Sequence, residues 1–343
     1  MMTDLNPNWI NAFADVFSRC AIKRDEKLVI FSETSSSTQL IEIARQALGQ
    51  LSLSPTMITV ETPNESQGPI VKSSGASQAL TGQVLAVSAL KSADVIIDLS
   101  VEGLMHAKET AEILQSGARI MNVSHEHPEV LARLVPCDED KDQVKEAVAR
   151  LRATKIMTVT SPHGSQLTVD MEGAATVGVW GWTDRPGTLA HWPGGLVVSF
   201  PRSGTVNGKL VMAPGDINLT FKRYVETPVE MVLENDYITK ISGQGVDAIL
   251  MRDYLASFGD KEAYATSHVG WGLNDRARYE ALTMYDKSLT NGTELRAVAG
   301  NFLYSTGANE FAGRFTRGHF DLPMMGCDIA LDGVLVVEGS TLK

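Results

Sequence analysis

Seven histidines are spread over 343 residues, and the sharpest pattern around any of them is Gly318-His319-Phe320-Asp321. In a β-strand, residues two apart share a face, so His319 and Asp321 would aim an imidazole and a carboxylate at one point. That is how two ligands of a divalent ion are presented. A third, non-local ligand would complete one face of the ion and leave the other open for substrate and O2. His268, in Thr266-Ser267-His268-Val269-Gly270, is the candidate because it sits among small residues in the same half of the chain. The competing reading is a strand histidine hydrogen-bonded to a neighbouring carboxylate, with His268 an ordinary core or surface residue. Spacing alone does not separate the two, since His-x-Asp recurs by accident.

The other histidines sort by context. His106, in Gly103-Leu104-Met105-His106-Ala107, falls just beyond a strand expected at Asp94–Leu99. Ligands of open α/β sheets collect outside the carboxyl ends of strands, so an imidazole there could move protons near neutral pH. A surface histidine before the next helix is the equal alternative. His125 and His127 flank Glu126 at a spacing that also suits a metal, but Pro128 starts a helix at once and favours a solvated loop. His191 lies in a stretch running from Trp180-Gly181-Trp182 to Trp192-Pro193-Gly194-Gly195. Flat rings and glycine backbones suit a pocket for a planar ligand, and they suit an aromatic core with turns equally well. His163, between Pro162 and Gly164, reads as a turn residue. Ser305 has no feature of a nucleophile and is carried, with His191, as a substrate-contacting candidate. Neither a Gly-x-Ser-x-Gly elbow nor a His-Glu-x-x-His motif occurs.

These residues must be positioned by two halves with different rhythms. Residues 1–154 alternate β-rich runs (Lys27–Phe31, Thr56–Val60, Asp94–Leu99, Ala118–Val123) with helical patterns (Gln39–Leu51, Gln83–Lys91, Ala107–Gln115). This is the signature of an α/β domain on a mostly parallel sheet. Asn6-Pro7 reads as a helix start, with Trp9, Ile10, Phe13, Val16 and Phe17 on one face. No Gly-x-Gly-x-x-Gly follows the first strand and no phosphate-binding Gly-x-x-x-x-Gly-Lys-Ser/Thr occurs, so a dinucleotide site is not expected. A helical segment, Asp138–Lys155, closes this half. Residues 155–343 carry short strand-like runs at Ile156–Thr160, Gln166–Met171, Leu196–Phe200 and Lys209–Met212, with a helix at Gly245–Phe258. Val206-Asn207-Gly208-Lys209, Asn235-Asp236 and Leu331-Asp332-Gly333-Val334 read as hairpin turns. This half is expected to be a β-rich α+β domain carrying the metal site.

Composition sets the outer limits. With 43% hydrophobic and 21% charged residues the chain is an ordinary globular protein. A formal net charge of -11, without basic runs, argues against nucleic-acid and anionic-membrane partners. No apolar stretch approaches the ~20 residues that span a bilayer. The first residues, MMTDLNPNWI, do not form a secretory signal. Cys20, Cys137 and Cys327, odd in number and widely spaced, read as reduced thiols of a cytoplasmic protein.

Several segments together resemble a known superfamily. Phe200-Pro201-Arg202-Ser203-Gly204 with Ala213-Pro214-Gly215, the run Val269-Gly270-Trp271-Gly272-Leu273-Asn274, Gly307–Asn309 and His319-Phe320-Asp321 are similar to the thermophilic (M29-type) aminopeptidases. Those peptidases hold two metal ions with extra carboxylates. This chain departs from them, with Thr205 and His268 where they carry glutamates and Leu303 where they carry a histidine. The altered set resembles the mononuclear-iron branch, the 2,5-dihydroxypyridine 5,6-dioxygenases of nicotinate and nicotine degradation. The resemblance implies an extradiol-type, Fe(II)-dependent dioxygenase that opens a small aromatic substrate with O2 to N-formylmaleamate. It further implies His268, His319 and Asp321 as ligands, His106 as acid/base, His191 in the pocket and a homo-oligomer. A two-metal aminopeptidase is the runner-up, and a non-catalytic module binding ligand in the Trp/Gly-rich pocket is a third reading.

Overall fold

The computed structural model describes residues 5–63 and 77–343. The first part alternates helices and strands: α1 (Pro7–Arg19), β1 (Leu28–Glu33), α2 (Thr38–Gln50), β2 (Thr56–Val60), α3 (Val84–Lys91), β3 (Val95–Asp98), α4 (Thr110–Gln115), β4 (Arg119–Val123), α5 (Pro128–Arg133) and α6 (Asp138–Ala153). α1 starts as its sequence requires, with the Asn6 side chain accepting from the Asn8 N–H at 3.0 Å and Pro7 in the first turn. The expected helix at Ala107–Gln115 begins at Thr110, so His106 lies on an irregular loop after β3.

The second part is mostly strands: β5 (Ile156–Thr160), β6 (Gln166–Asp170), β7 (Ala175–Val179), β8 (Leu189–Trp192), β9 (Leu196–Phe200), β10 (Val206–Met212), β11 (Ile217–Asn218), β12 (Arg223–Tyr224), β13 (Val229–Glu234) and β14 (Tyr237–Ser242). After α7 (Val246–Ser257) come β15 (Thr266–Gly272), α8 (Ala281–Met284), α9 (Thr293–Ala297), β16 (Phe302–Asn309), β17 (Arg314–Met324), β18 (Asp328–Leu331), β19 (Val334–Glu338) and β20 (Thr341–Leu342). An α/β part on a parallel sheet is thus followed by a β-rich part, as the two rhythms predict.

The parallel sheet runs β2-β1-β3-β4-β8. Its inner strands β1, β3 and β4 are buried on both faces because both are covered, while the edge strand β2 is largely exposed. Ile30, Val95, Ile97 and Met121 meet Phe13 and Phe17 of α1 and Ile43 and Leu48 of α2. The alternate residues Val29, Phe31, Ile96 and Ile120 pack with Leu90 of α3 and Ile113 of α4. β8 lies beyond residue 154, so the chain returns to the first sheet after entering the second part.

Two further sheets stack on each other. An eight-stranded sheet, β14-β13-β10-β6-β5-β18-β19-β20, supplies Met157, Val159, Leu167, Val169, Leu210 and Met231 to the main core. A five-stranded sheet, β17-β16-β15-β9-β7, answers with Val197, Val269, Trp271, Phe302, Tyr304 and Leu322. Asn235-Asp236 and Asp332-Gly333 are two-residue turns with positive φ at both positions, as expected. Asn207-Gly208 is not a turn. β10 runs straight through it, pairing Val206–Lys209 with β6. Gly208 has φ +133°, and a Cβ there would lie 2.2 Å from the Gln166 carbonyl oxygen, so the glycine serves a close strand approach.

Candidate active site

Strands β15, β16 and β17 lie side by side, and their register assembles the site. His268 pairs with Ser305, and Ser305 pairs with Asp321. Residues directly opposite in an antiparallel pair share a face, so the three form a row across the sheet, joined by His319 two residues before Asp321. The Asp321 carboxylate oxygens lie 3.9 Å from His268 Nε2 and 3.3 Å from His319 Nε2.

His106 enters from the parallel sheet. Asp98, at the end of β3, accepts from the Ser100 N–H at 3.0 Å, the Ser100 hydroxyl at 2.6 Å, the Leu104 N–H at 2.7 Å and Asn122 Nδ2 at 2.9 Å. Those bonds shape the loop that carries His106. Gly103 sits in it at φ +79°, where a Cβ would come within 2.7 Å of Asn122 Nδ2. One ring nitrogen each of His106, His268 and His319 then lies within 4.8 Å of the other two. The His106 and His319 ring centres are 4.9 Å apart. His106 Nδ1 faces Glu310 Oε1 at 3.4 Å.

The charges around this cluster are unequal. Asp321 is 2% exposed and receives Arg296 Nε at 2.6 Å and the Ser305 hydroxyl. Burial alone would raise its pKa, but Arg296 and His319 outweigh that and hold the carboxyl well below its ordinary range. Burial pushes His268 down to about 3, against the pull of Asp321. At His319 burial also acts downward, yet Asp321 prevails and the imidazole is raised. Burial lowers His191, on β8, to about 4, and the charges of Arg296, His106 and Asp321 act on it. Its Nδ1 lies 2.8 Å from the Pro193 carbonyl oxygen. Burial pushes the Glu310 carboxyl up, but the bond to His106 more than offsets it.

These facts bear on the competing sequence readings. His268 Nδ1 and His319 Nδ1 are both buried without a hydrogen-bond partner, so each ring keeps one unsatisfied nitrogen, although His319 Nε2 does meet the Asp321 carboxylate. Neutral imidazoles and an ionised carboxylate are the donor chemistry that a divalent ion takes. An ion bound at ~2.1 Å sets neighbouring donors ~3 Å apart and opposite donors ~4 Å apart. The 3.9 and 3.3 Å separations of Asp321 from the His268 and His319 imidazoles fall in this range.

The structure places other candidates elsewhere. His127 caps α5 through its Nδ1, accepting from the Glu129 N–H at 3.2 Å, and stacks on Tyr285. The segment around it is no solvated loop: His125 is 5% and Glu126 2% exposed. The reason is that the Glu126 carboxylate receives the backbone N–H groups of Asn291, Gly292 and Thr293. Trp192 is core, edge-on to Phe13 with its Nε1 donating to the Leu134 carbonyl. Sequence reasoning missed Arg296, Glu310 and the wall formed by Phe200, 5.2 Å from His268 ring to ring, and Phe311. Phe200 lies in a segment the superfamily shares; Arg296 and Glu310 carry no local signal.

The architecture is shared with AmpT from Thermus thermophilus, a structure with TM-score 0.66 at 13% identity that covers 98% of both chains. At that identity the likeness concerns the fold alone. A much closer solved structure is the 2,5-dihydroxypyridine dioxygenase of Pseudomonas putida KT2440, with TM-score 0.93 and 32% identity over 99% of this chain and 98% of that one. The curated 2,5-dihydroxypyridine 5,6-dioxygenase of the same strain is 39% identical over 261 residues, 76% of this chain and 73% of the relative. The profile of the family described as 2,5-dihydroxypyridine 5,6-dioxygenase (NicX) matches residues 8–343. The protein is therefore an enzyme, an oxidoreductase of the dioxygenase kind. It belongs to the 2,5-dihydroxypyridine 5,6-dioxygenase family.

Proposed function

We propose that this enzyme cleaves the ring of 2,5-dihydroxypyridine between C5 and C6 with O2, giving N-formylmaleamate, and that His268, His319 and Asp321 hold one Fe(II). The observation that carries the reading is the convergence of two imidazoles and one ionised carboxylate on one face of the β17-β16-β15 sheet, with a third imidazole, His106, brought to the same point from the parallel sheet. Both oxygen atoms enter the product, so no external reductant is required. Bound there, the iron would supply a path for electrons between a closed-shell ring and O2, whose direct reaction spin forbids.

The chain's own residues do the rest. Arg296 and Ser305 fix the Asp321 carboxylate in one orientation and keep it ionised. His268, disfavoured as a cation by burial, presents a lone pair without first losing a proton. His106 accepts the proton of a ring hydroxyl, which makes the ring a better electron donor. His191 lines the substrate side, and Phe200 with Phe311 forms an apolar wall for a planar ring. Ser305, already donating to Asp321, acts on substrate through that carboxylate. A homo-oligomer and a cytoplasmic location belong to the same proposal.

Anaerobic loading with Fe(II), followed by 2,5-dihydroxypyridine in oxygenated buffer, tests the reading. One O2 consumed per pyridine lost, absent in His319→Ala, is the expected result. His106→Ala should keep its iron and turn over about 10²–10⁴-fold more slowly. No uptake by protein shown to contain iron would remove this substrate.

A further inference from the structure

We infer that Glu310 is a positioning residue for His106: its carboxylate fixes the imidazole's orientation and tautomer so that Nε2 faces the substrate as a base. The inference rests on the role proposed for His106 above.

The two residues come from opposite parts of the chain, 204 positions apart, and meet at the edge of the site with Nδ1 and Oε1 3.4 Å from each other. Backbone bonds to Asp98 shape the loop bearing His106 but do not themselves set the two side-chain torsions of its ring. Glu310 stands on a firmer base, in the single turn Glu310–Ala312 directly after β16. Asn309, fully buried, anchors that turn: its Oδ1 accepts from the Ala312 N–H at 3.1 Å and its Nδ2 donates to the Pro201 carbonyl at 2.9 Å. Gly313, at φ +69°, lets the chain leave at once for β17.

The contact is poorly explained as a stabilising ion pair. The Glu310 side chain is 36% exposed, and pairs of that kind add little to stability. Its geometry suits orientation instead. A neutral imidazole carries one proton, and the hydrogen bond at one nitrogen decides which nitrogen keeps it. With Nδ1–H donated to Glu310, the lone pair lies on Nε2. A carboxylate behind a functional histidine is a recurring arrangement for this purpose, and losing such a partner typically lowers activity 10–100-fold.

The test combines NMR of the full-length, metal-free protein, labelled with 15N-histidine, with kinetics of the iron-loaded enzyme. The His106 signal is assigned by its absence from His106→Ala. In the wild type, His106 should carry its proton on Nδ1. Glu310→Ala should release it to a mixture of tautomers, whereas Glu310→Gln, which keeps an acceptor oxygen, should retain the wild-type form. In kinetics, Glu310→Ala should lower kcat about 10–100-fold with KM within about twofold and iron content unchanged. In the His106→Ala background the same substitution should change nothing further. An unaltered tautomer in Glu310→Ala, or a full additional loss in the double variant, overturns the inference. If the wild type does not turn over the pyridine at all, the proposed function fails, while the tautomer measurement still decides what Glu310 does.

Discussion

Arg296→Gln probes the charge design of the site most directly. Arg296 Nε sits 2.6 Å from Asp321 Oδ2, with the two side chains only 13% and 2% exposed. Removing one partner of such a buried pair leaves an uncompensated charge and typically costs about 3–5 kcal/mol. Two features of this site temper the loss. His319 Nε2, 3.3 Å from the same carboxylate, already has a raised pKa and can take up a proton in place of the guanidinium. A glutamine amide can also donate to the carboxylate. The metal-free variant should therefore lose about 3 kcal/mol, the low end of that range. A divalent cation held by Asp321 supplies the missing charge and binds only the native state, so in the loaded enzyme the loss should shrink to about 1 kcal/mol or less. Anaerobic urea denaturation of both proteins, with chelator or with excess Fe(II), measures this as a shift in midpoint at constant slope. Equal losses in the two conditions would refute the reasoning, because Asp321 would then not share its charge with the ion. No loss in either would mean that the ion pair does not compensate a buried carboxylate.

Two further predictions concern the scaffold. Burial lowers His191 to about 4 from an ordinary 6.5, so the native state refuses a proton that the unfolded chain accepts. Its contribution to stability is present above the unfolded pKa and is lost as pH falls toward the folded one, about 3 kcal/mol in all at ~1.4 kcal/mol per unit. Urea midpoints of metal-free His191→Asn should show a pH slope nearly one proton shallower than wild type between pH 6 and 4.5; parallel slopes would count against this. Gly270 lies two residues after His268 on β15, where a Cβ would meet the Val197 carbonyl oxygen at 2.0 Å. Gly270→Ala should cost about 1–3 kcal/mol and weaken metal binding together, since the backbone that shifts carries His268. A full-strength isotherm from a destabilised variant would show that the strand can yield without moving the ligand.

How much of this was legible in the sequence depends on range. His319 and Asp321 could be seen as a pair because a strand of period two places them on one face. Their alignment with His268 depends on which strands pair and in what register, and no residue announces that Ser305 stands opposite both His268 and Asp321. The bond from the Ser305 hydroxyl to Asp321 has no local signal either. Arg296 sits on a five-residue helix, Thr293–Ala297, and Glu310 meets a histidine 204 residues away, so both needed tertiary structure. Turn chemistry shows the same limit at short range. Asn235-Asp236 and Asp332-Gly333 turn the chain, while Asn207-Gly208 does not, because positive φ at Gly208 answers a neighbouring strand. The return of β8 to the first sheet was equally hidden.

Charge also separates the proposed reading from a two-metal peptidase on the same architecture. Two divalent ions bring four positive charges into a site of low dielectric, which only several uncompensated carboxylates could balance. Among the described residues, the group of three or more donors close enough to hold an ion consists of imidazoles, His106, His268 and His319. The carboxylate beside them, Asp321, is already balanced by Arg296, and Glu310 is engaged with His106. Asp321 is thus close to neutralised where the donors converge, and Glu310, at the edge of the site, is among the described residues the one carboxylate there without a cationic partner as long as His106 is neutral. Under the proposed function such a site would suit one dication rather than two, and an anionic ligand arriving with it would improve the balance. A hydroxypyridine that gives up a ring proton would be such a ligand, so, under the proposed function, the same shortage of carboxylates that disfavours a second ion would favour binding the substrate in its ionised form.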